Sequence, residues 1–345
     1  MNKSSYLNTL FVTTPGANLF RDHENLVVKV DSEEKLRVPM HHLGSIVCFG
    51  VMSVSTGTLE ACAEAGIGLS FLSERGRFIA RIEGEPNGSV EIRRAQFAAA
   101  ADTGKALALA RSFILGKLYN SRQMLLRAGR ETDAAADQAA LRKAADQFDM
   151  ALRYLERANN LDELRGREGD AARTYFETFA AMIKRRRDVF GFTHRSRRPP
   201  LDPMNALLSF LYALLRHDVE SALSAVGLDP AVGFLHADRA GRPSLALDMQ
   251  EELRAPFADR LALALVNREQ LKPDDFKAQE GGSWRLTDDG RKAVLVAWQQ
   301  RKQETVTHPV TKEEIPLALV PHVQARLLAR TLRGDLAEYP PFTQS

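Results

Sequence analysis

The sequence predicts an α+β multidomain protein, with a small N-terminal β-rich domain followed by a larger all-α domain. Three observations carry that reading. Over the first 85 residues, short segments containing β-branched residues alternate with turn signals. A polar stretch with one Pro and two Gly comes next, and from Glu91 onward apolar residues recur with the 3.6-residue helical period. At 345 residues, 44% apolar and 26% charged, the chain has the composition of ordinary soluble domains and the length for two of them, which excludes wholesale disorder.

In chain order, strands are expected over 6–14, 25–30 and 35–40, separated by Pro15-Gly16, by Asp22-His23-Glu24 and by a turn at 31–34. Residues 45–54, SIVCFGVMSV, read as a buried strand. Ser55 is placed to cap a helix over 56–65, because its hydroxyl can accept from an otherwise unpaired first-turn N–H, and Gly66 stops that helix. Strands over 67–72 and 78–82 follow, joined by a turn at Glu74-Arg75-Gly76-Arg77. The tract at 83–89, EGEPNGS, is the best linker signal; it sets the divisions at 1–85, a linker over 86–92 and a helical domain over 93–345. Helices are expected over 93–130, 131–159, 164–190, 203–224, 246–268, 290–303 and 322–333, with a turn and a short strand at 280–286.

Several classes drop out. Two cysteines, Cys48 and Cys62, cannot build a disulfide framework or a four-cysteine zinc site, which fits a reducing compartment. The N-terminus has no sustained apolar run, and the longest one in the chain, 206–215, is half of the ~20 residues a spanning helix needs. A soluble, cytoplasmic protein is expected. There is no phosphate-binding GxxxxGK[ST] loop and no GxSxG nucleophile turn.

Three constellations could carry chemistry. Lys184, Arg185, Arg186, Arg187, Arg195, Arg197 and Arg198, against the single Asp188, put +6 into fifteen residues of a chain whose total is +3; the remainder therefore sums to −3. Such a block suits a phosphate backbone, whose neutralisation releases counterions; a solvated helix end is the other reading. Glu168 continues the stripe of Ala172, Tyr175, Phe176, Phe179 and Ile183 instead of the polar face, so it needs a cation, a metal or a proton, unless it merely favours a helix N-terminus. Finally, Asp248, Glu251 and Glu252 share one face of a helix, and His236 precedes it across a Gly-Arg-Pro turn. One His with carboxylates suits Mg²⁺ or Mn²⁺; a solvated acidic face is the alternative.

Read in order, these pieces resemble the CRISPR-associated spacer integrases, the catalytic subunits of CRISPR adaptation. The resemblance is carried by Arg167-Glu168-Gly169 with Ala171-Ala172-Arg173 and Tyr175-Phe176, by RRPPLDPMNALLS at 197–209, and by Tyr212. It continues through Gly227-Leu228-Asp229-Pro230, Gly233-Phe234-Leu235-His236, SLALD at 244–248, Glu251-Glu252-Leu253-Arg254 and the tail Tyr339-Pro340-Pro341-Phe342. It implies catalytic and metal-binding roles for Glu168, His236 and Glu251 on Mg²⁺ or Mn²⁺, with Asp248 as a further candidate ligand. Asn205 and Glu252 would stand beside the site. The basic block, with Arg254, would hold double-stranded DNA. The implied reaction is the insertion of short DNA fragments into a repeat array by 3′-OH attack on a phosphodiester, or cleavage when water attacks. The implied partners are a second copy, bound through the β domain, and a small ferredoxin-like protein. A non-enzymatic DNA-binding protein using the same basic block is the rival reading.

Overall fold

The computed structural model describes residues 9–73, 78–82 and 90–344. The turn expected at 74–77 and the tract at 83–89 lie outside them. The chain divides into two compact units: Met1–Gly88 with Leu295–Val306 and Glu314–Val320, and Ser89–Val294 with Thr307–Glu313 and Pro321–Ser345.

The first unit contains two four-stranded sheets. β1 (Thr9–Val12), β2 (Asn18–Asp22), β3 (Asn25–Val30) and β4 (Glu33–Pro39) are followed by β5 (Ser45–Phe49), β6 (Ser53–Val54), α1 (Thr56–Ala65), β7 (Gly68–Leu72) and β8 (Phe78–Ile82). One sheet runs β1-β5-β7-β8, parallel up to β7; the other runs β4-β3-β2-β6. The single strand expected over 45–54 is two. Gly50, at φ +81°, turns the chain so that fully buried β5 stays in the first sheet while β6 pairs with β2 in the second. β2 escaped the sequence reading because its alternation is short and partly polar. Leu19, Leu26, Val28, Ile46, Cys48 and Leu69 meet Ala61 and Cys62 of α1 in one core. Ser55 caps α1 by accepting from the Thr58 N–H, and Gly66 closes it at φ +66°. Both thiols are free, and burial pushes Cys48 up to about 12 and Cys62 to about 11.

The second unit is helical and is built around a 29-residue helix, α3. α2 (Val90–Ala101) is separated from α3 (Thr103–Glu131) by Asp102, whose carboxylate caps α3 through the N–H groups of Gly104 and Lys105. α3 packs against α4 (Ala135–Tyr154), α5 (Leu161–Thr178) and a later helix, Ser244–Leu253. The long helix expected over 164–190 ends at Thr178. A 3₁₀ turn, an irregular stretch and short α6 (Arg187–Phe190) follow, because Arg186 adopts φ +49° and four consecutive cations give no buried face to continue on. α7 (Pro203–Ala225) opens with Asp202 as N-cap and Pro203 in the first turn. α8 (Ser244–Leu253) and α9 (Arg260–Asn267) are joined by a π-helical turn, Arg254–Asp259, which contains Pro256 and re-phases the side chains that follow. β9 (Phe276–Ala278) and β10 (Trp284–Leu286) form a hairpin, so the helical part is not wholly α. α10 (Asp288–Gln303) is divided between the units. β11 (Thr305–Thr307) pairs with β12 (Glu314–Pro316), and α11 (Val320–Arg333) precedes the C-terminal tail. No helix among the described residues is long and apolar enough to cross a membrane.

Candidate active site

The burial pattern of α5 puts Glu168 where the sequence places it. Leu164, Ala171 and Tyr175 form the packed stripe, and Glu168 lies within it, four residues from Leu164 and seven from Tyr175, 24% exposed. Facing it from α3 is Lys117, only 12% exposed, which is four residues after buried Phe113 and eight before buried Leu125. A lysine on a core stripe needs an anion, and Lys117 has two. Its Nζ donates to Glu168 Oε1 and lies 2.7 Å from Glu251 Oε2 on α8. Arg254, in the π turn, donates to Glu251 as well, at 2.8 Å and 3.0 Å to its two oxygens. Burial opposes ionisation of Glu251, but Arg254, Lys117 and His236 outweigh it and hold the carboxyl at about 2.

The three acids of α8, expected on one face, go three separate ways. The solvated-face reading is overturned, since Asp248, Glu251 and Glu252 are 0%, 4% and 0% exposed. Asp248 points back to the Gly233–His236 loop. Its Oδ2 accepts the N–H groups of Phe234 (2.6 Å) and Leu235 (2.9 Å), and its Oδ1 accepts the N–H of His236 (3.0 Å) and faces His236 Nδ1 at 2.6 Å. Gly233 is required there, because a Cβ would stand 2.8 Å from Asp248 Oδ2 and from the Ser244 carbonyl carbon. The contact to Asp248 occupies Nδ1 and leaves Nε2 as the ring nitrogen that this acid does not engage. Asp248 thus orients His236, and its oxygens are filled with donors.

Glu252 turns the other way, to the C-terminal tail. Its Oε1 accepts from the Tyr339 hydroxyl (2.6 Å) and Gln324 Nε2 (3.0 Å), and its Oε2 accepts from the Phe342 N–H (2.8 Å). Burial pushes its carboxyl up to about 7, against the pull of those donors. Asn120 of α3 donates to the carbonyls of Glu252 and Phe342, pinning the same tail.

Below the cluster, Asp259 accepts from Tyr212 (2.7 Å) and Tyr175 (3.0 Å), and burial raises its carboxyl to about 6. Arg195 and Arg254 both stack on the Tyr212 ring, at 5.4 Å and 5.0 Å to its centroid. Asn205 organises the loop before α7. Its Oδ1 accepts from Arg195 and from the Ser196 N–H, and its Nδ2 donates to the His194 carbonyl and Asp202.

The basic block is less uniform than its charge count suggests. Lys184 donates to the Glu131 carbonyl, Arg186 pairs with Asp188, Arg187 pairs with Asp137, and Arg195 is spent on Ser196, Asn205 and Ser209. Arg185, Arg197 and Arg198 stand exposed with no acid paired to them among the described residues. Sequence reasoning missed Lys117 and the Tyr175–Asp259–Tyr212 group. The signal for Lys117 was available, since it interrupts an apolar stripe as Glu168 does.

The donor types suit a hard divalent cation: two carboxylates share one cationic position, and Asp248, on the same helix as Glu251, holds an imidazole by its Nδ1. Among the described residues, however, no three His, Cys, Asp or Glu side chains are gathered closely enough to hold a metal ion. The ammonium of Lys117 stands between the two that converge.

Comparison with known proteins adds to this geometry. The family model for CRISPR associated protein Cas1 matches residues 10–300. The chain is 50% identical over 336 residues to the CRISPR-associated endonuclease Cas1 1 of Moorella thermoacetica, covering 97% of this chain and 98% of that protein. Its fold superposes with a TM-score of 0.83 on a casposase bound to its integration product, at 21% identity over 98% of this chain and 94% of that one. It also matches a Cas6-RT-Cas1–Cas2 complex at a TM-score of 0.81 and 22% identity, over 99% of this chain and 36% of that one.

Proposed function

The chain belongs to the CRISPR-associated Cas1 family, and from that premise we propose that it is a metal-dependent DNA endonuclease and integrase that inserts short DNA fragments into a repeat array. One observation carries the reading: Glu168 and Glu251, from separate helices, converge on one largely buried lysine, while Asp248, on the same helix as Glu251, engages Nδ1 of His236. Glu168, Glu251 and His236 are the residues that would hold Mg²⁺ or Mn²⁺. Such an ion, when bound, polarises a phosphodiester oxygen and stabilises the charge that develops in the transition state. The chain's own groups do the rest. Asp248 orients His236 by accepting the backbone N–H groups of Phe234, Leu235 and His236 and engaging the ring at Nδ1, which fixes both the loop and the imidazole on it. Arg254 keeps Glu251 ionised and is itself locked against Tyr212. Exposed Arg185, Arg197 and Arg198 hold the DNA backbone and position it without reading its sequence.

In the reaction a DNA 3′-oxygen attacks phosphorus in line, a new phosphodiester forms, and the target strand's own 3′-oxygen leaves and takes up the proton. With water as nucleophile, the same exchange is hydrolysis. The relative named as an endonuclease and the casposase bound to an integration product support the two outcomes. A Cas2 partner is proposed from the complex that the fold resembles, and it would be the small ferredoxin-like subunit expected from the sequence. A second copy joined through the β-rich unit and a cytoplasmic location belong to the same proposal. A purely DNA-binding role is disfavoured, because it gives no reason to turn two carboxylates from separate helices inward onto one lysine.

The test is a supercoiled-plasmid integration assay with short duplex DNA. Joined product is expected in Mg²⁺ or Mn²⁺, none in EDTA, and none from Glu168→Ala in either metal. Undiminished joining by Glu168→Ala would remove the site assignment.

A further inference from the structure

Lys117 has no packing reason to be where it is. Its position on α3 lies on the stripe that includes Phe113 and Leu125, both fully buried, where Leu or Met would be cheaper to fold. Its ammonium is instead committed to the two carboxylates that a divalent ion would use, and lies 2.7 Å from Glu251 Oε2. Carboxylate oxygens sit roughly 2.0–2.6 Å from a bound Mg²⁺ or Ca²⁺-sized ion. A metal on the same oxygens would overlap the ammonium, so the two cations exclude one another.

The structure also provides somewhere for the ammonium to go. A small cavity adjoins the cluster, and its wall includes Lys117, Glu251, Tyr175, Tyr212, Arg254 and Asp259. Asp259 is a further acid in that wall, buried and held by two tyrosine hydroxyls. The lysine stem has four rotatable bonds and a compact head with three donors, so it can exchange one carboxylate for another without moving the backbone.

We propose that Lys117 is the resident counter-ion of the Glu168–Glu251 pair, holding both carboxylates in the metal-free protein and yielding its place to the divalent ion by swinging into the adjoining cavity toward Asp259. This rests on the metal-site reading above and adds a competitor to it. Metal affinity is then set by an exchange of cations, so removing the lysine charge tightens binding, while in the metal-free protein Glu251 keeps Arg254 and Glu168 loses its cation.

The measurement is Mn²⁺ binding without DNA, read from the electron paramagnetic resonance signal of free Mn²⁺, with the Mn²⁺-induced rise in melting temperature as a second readout. Lys117→Met is expected to bind Mn²⁺ about tenfold more tightly than wild type, within the usual range of such couplings, and to show the larger thermal shift. Lys117→Arg keeps the charge but has too large a head for the cavity; it is expected to bind more weakly than wild type, and it keeps the test decisive should Lys117→Met not fold. Asp259→Asn is expected to weaken Mn²⁺ binding several-fold in the wild-type background and to have no effect when combined with Lys117→Met. Unchanged or weaker binding by folded Lys117→Met, or binding by Lys117→Arg at least as tight as wild type, overturns the exchange. An equal effect of Asp259→Asn in both backgrounds overturns the retreat into the cavity. Loss of binding in Glu168→Ala without tightening in Lys117→Met defeats this inference alone, whereas Mn²⁺ binding indifferent to Glu168→Ala defeats the metal-site reading and this inference with it.

Discussion

Glu251 and Glu252 are consecutive residues of one helix, both buried, and they meet opposite electrostatic fates. Glu251 faces Lys117 and Arg254 and is held at about 2; Glu252 faces a hydroxyl, an amide and a backbone N–H and is pushed up to about 7. Burial penalises the charge of both. Full positive charges outweigh that penalty at one and dipoles do not at the other. The contrast separates two kinds of region. A carboxylate neutralised by cationic side chains stays ionised, as a metal ligand must be. A carboxyl surrounded by fixed neutral donors can only hold structure, and Glu252 holds the tail from Tyr339 to Phe342.

The contrast can be broken at several points. The largest effect is expected at the cation-neutralised side: Glu168→Ala and His236→Ala should each lower strand joining and cleavage by at least about 100-fold. Circular dichroism and duplex binding should show both proteins folded and bound to DNA. On the neutral side the loss should be of stability. Glu252→Ala strands the donors of Tyr339, Gln324 and Phe342 and leaves a void beside Gly116, where even a methyl group would stand 2.7 Å from the Glu252 Cβ. A cost of about 3–4 kcal/mol in urea unfolding is expected, with earlier proteolysis of the tail.

The pH dependence should run in opposite directions at the two residues. The raised Glu252 carboxyl contributes stability that is fully present below its unfolded value of 4.5 and lost as pH rises toward about 7. The depressed Glu251 carboxyl contributes stability that is present above 4.5 and lost as pH falls toward about 2. Urea titrations of the wild type and of Glu252→Gln should therefore differ by on the order of 2 kcal/mol in how much stability is lost between pH 4.5 and 7. No difference in that window would show that the dipoles around Glu252 suffice to ionise it. The smallest effect is expected in the basic block. Arg197→Ala and Arg198→Ala should each reduce the salt slope of DNA binding by about 1 and leave melting unchanged, whereas Arg195→Ala should lower the melting temperature.

Much of the site was legible from residue placement. A charged residue on an apolar stripe is a signal because burial forces it to find a partner, and Glu168 was found that way; Lys117 satisfies the same rule on α3 and could have been found with it. The His236 loop and the acids of α8 could be recognised as a group from spacing, but not separated into roles. Helical spacing placed Asp248, Glu251 and Glu252 on one face, yet a helix buried on all sides presents each residue to a different neighbour. For the basic block, counting charges along the chain cannot see Asp137 or Glu131, which pair with Arg187 and Lys184 from other helices.

Local rules were enough for what lies within one turn or one period of the chain. The cap at Ser55, the stop at Gly66, the β-to-α change of period and the inward placement of Glu168 all follow from groups a few residues apart. Tertiary structure alone decided which cation sits between Glu168 and Glu251, which acid orients His236, and which one fastens the tail. Those pairings join residues far apart in the chain, 87 positions in the case of Glu252 and Tyr339. Their energies depend on burial and on the charges brought alongside, neither of which exists until the helices have packed.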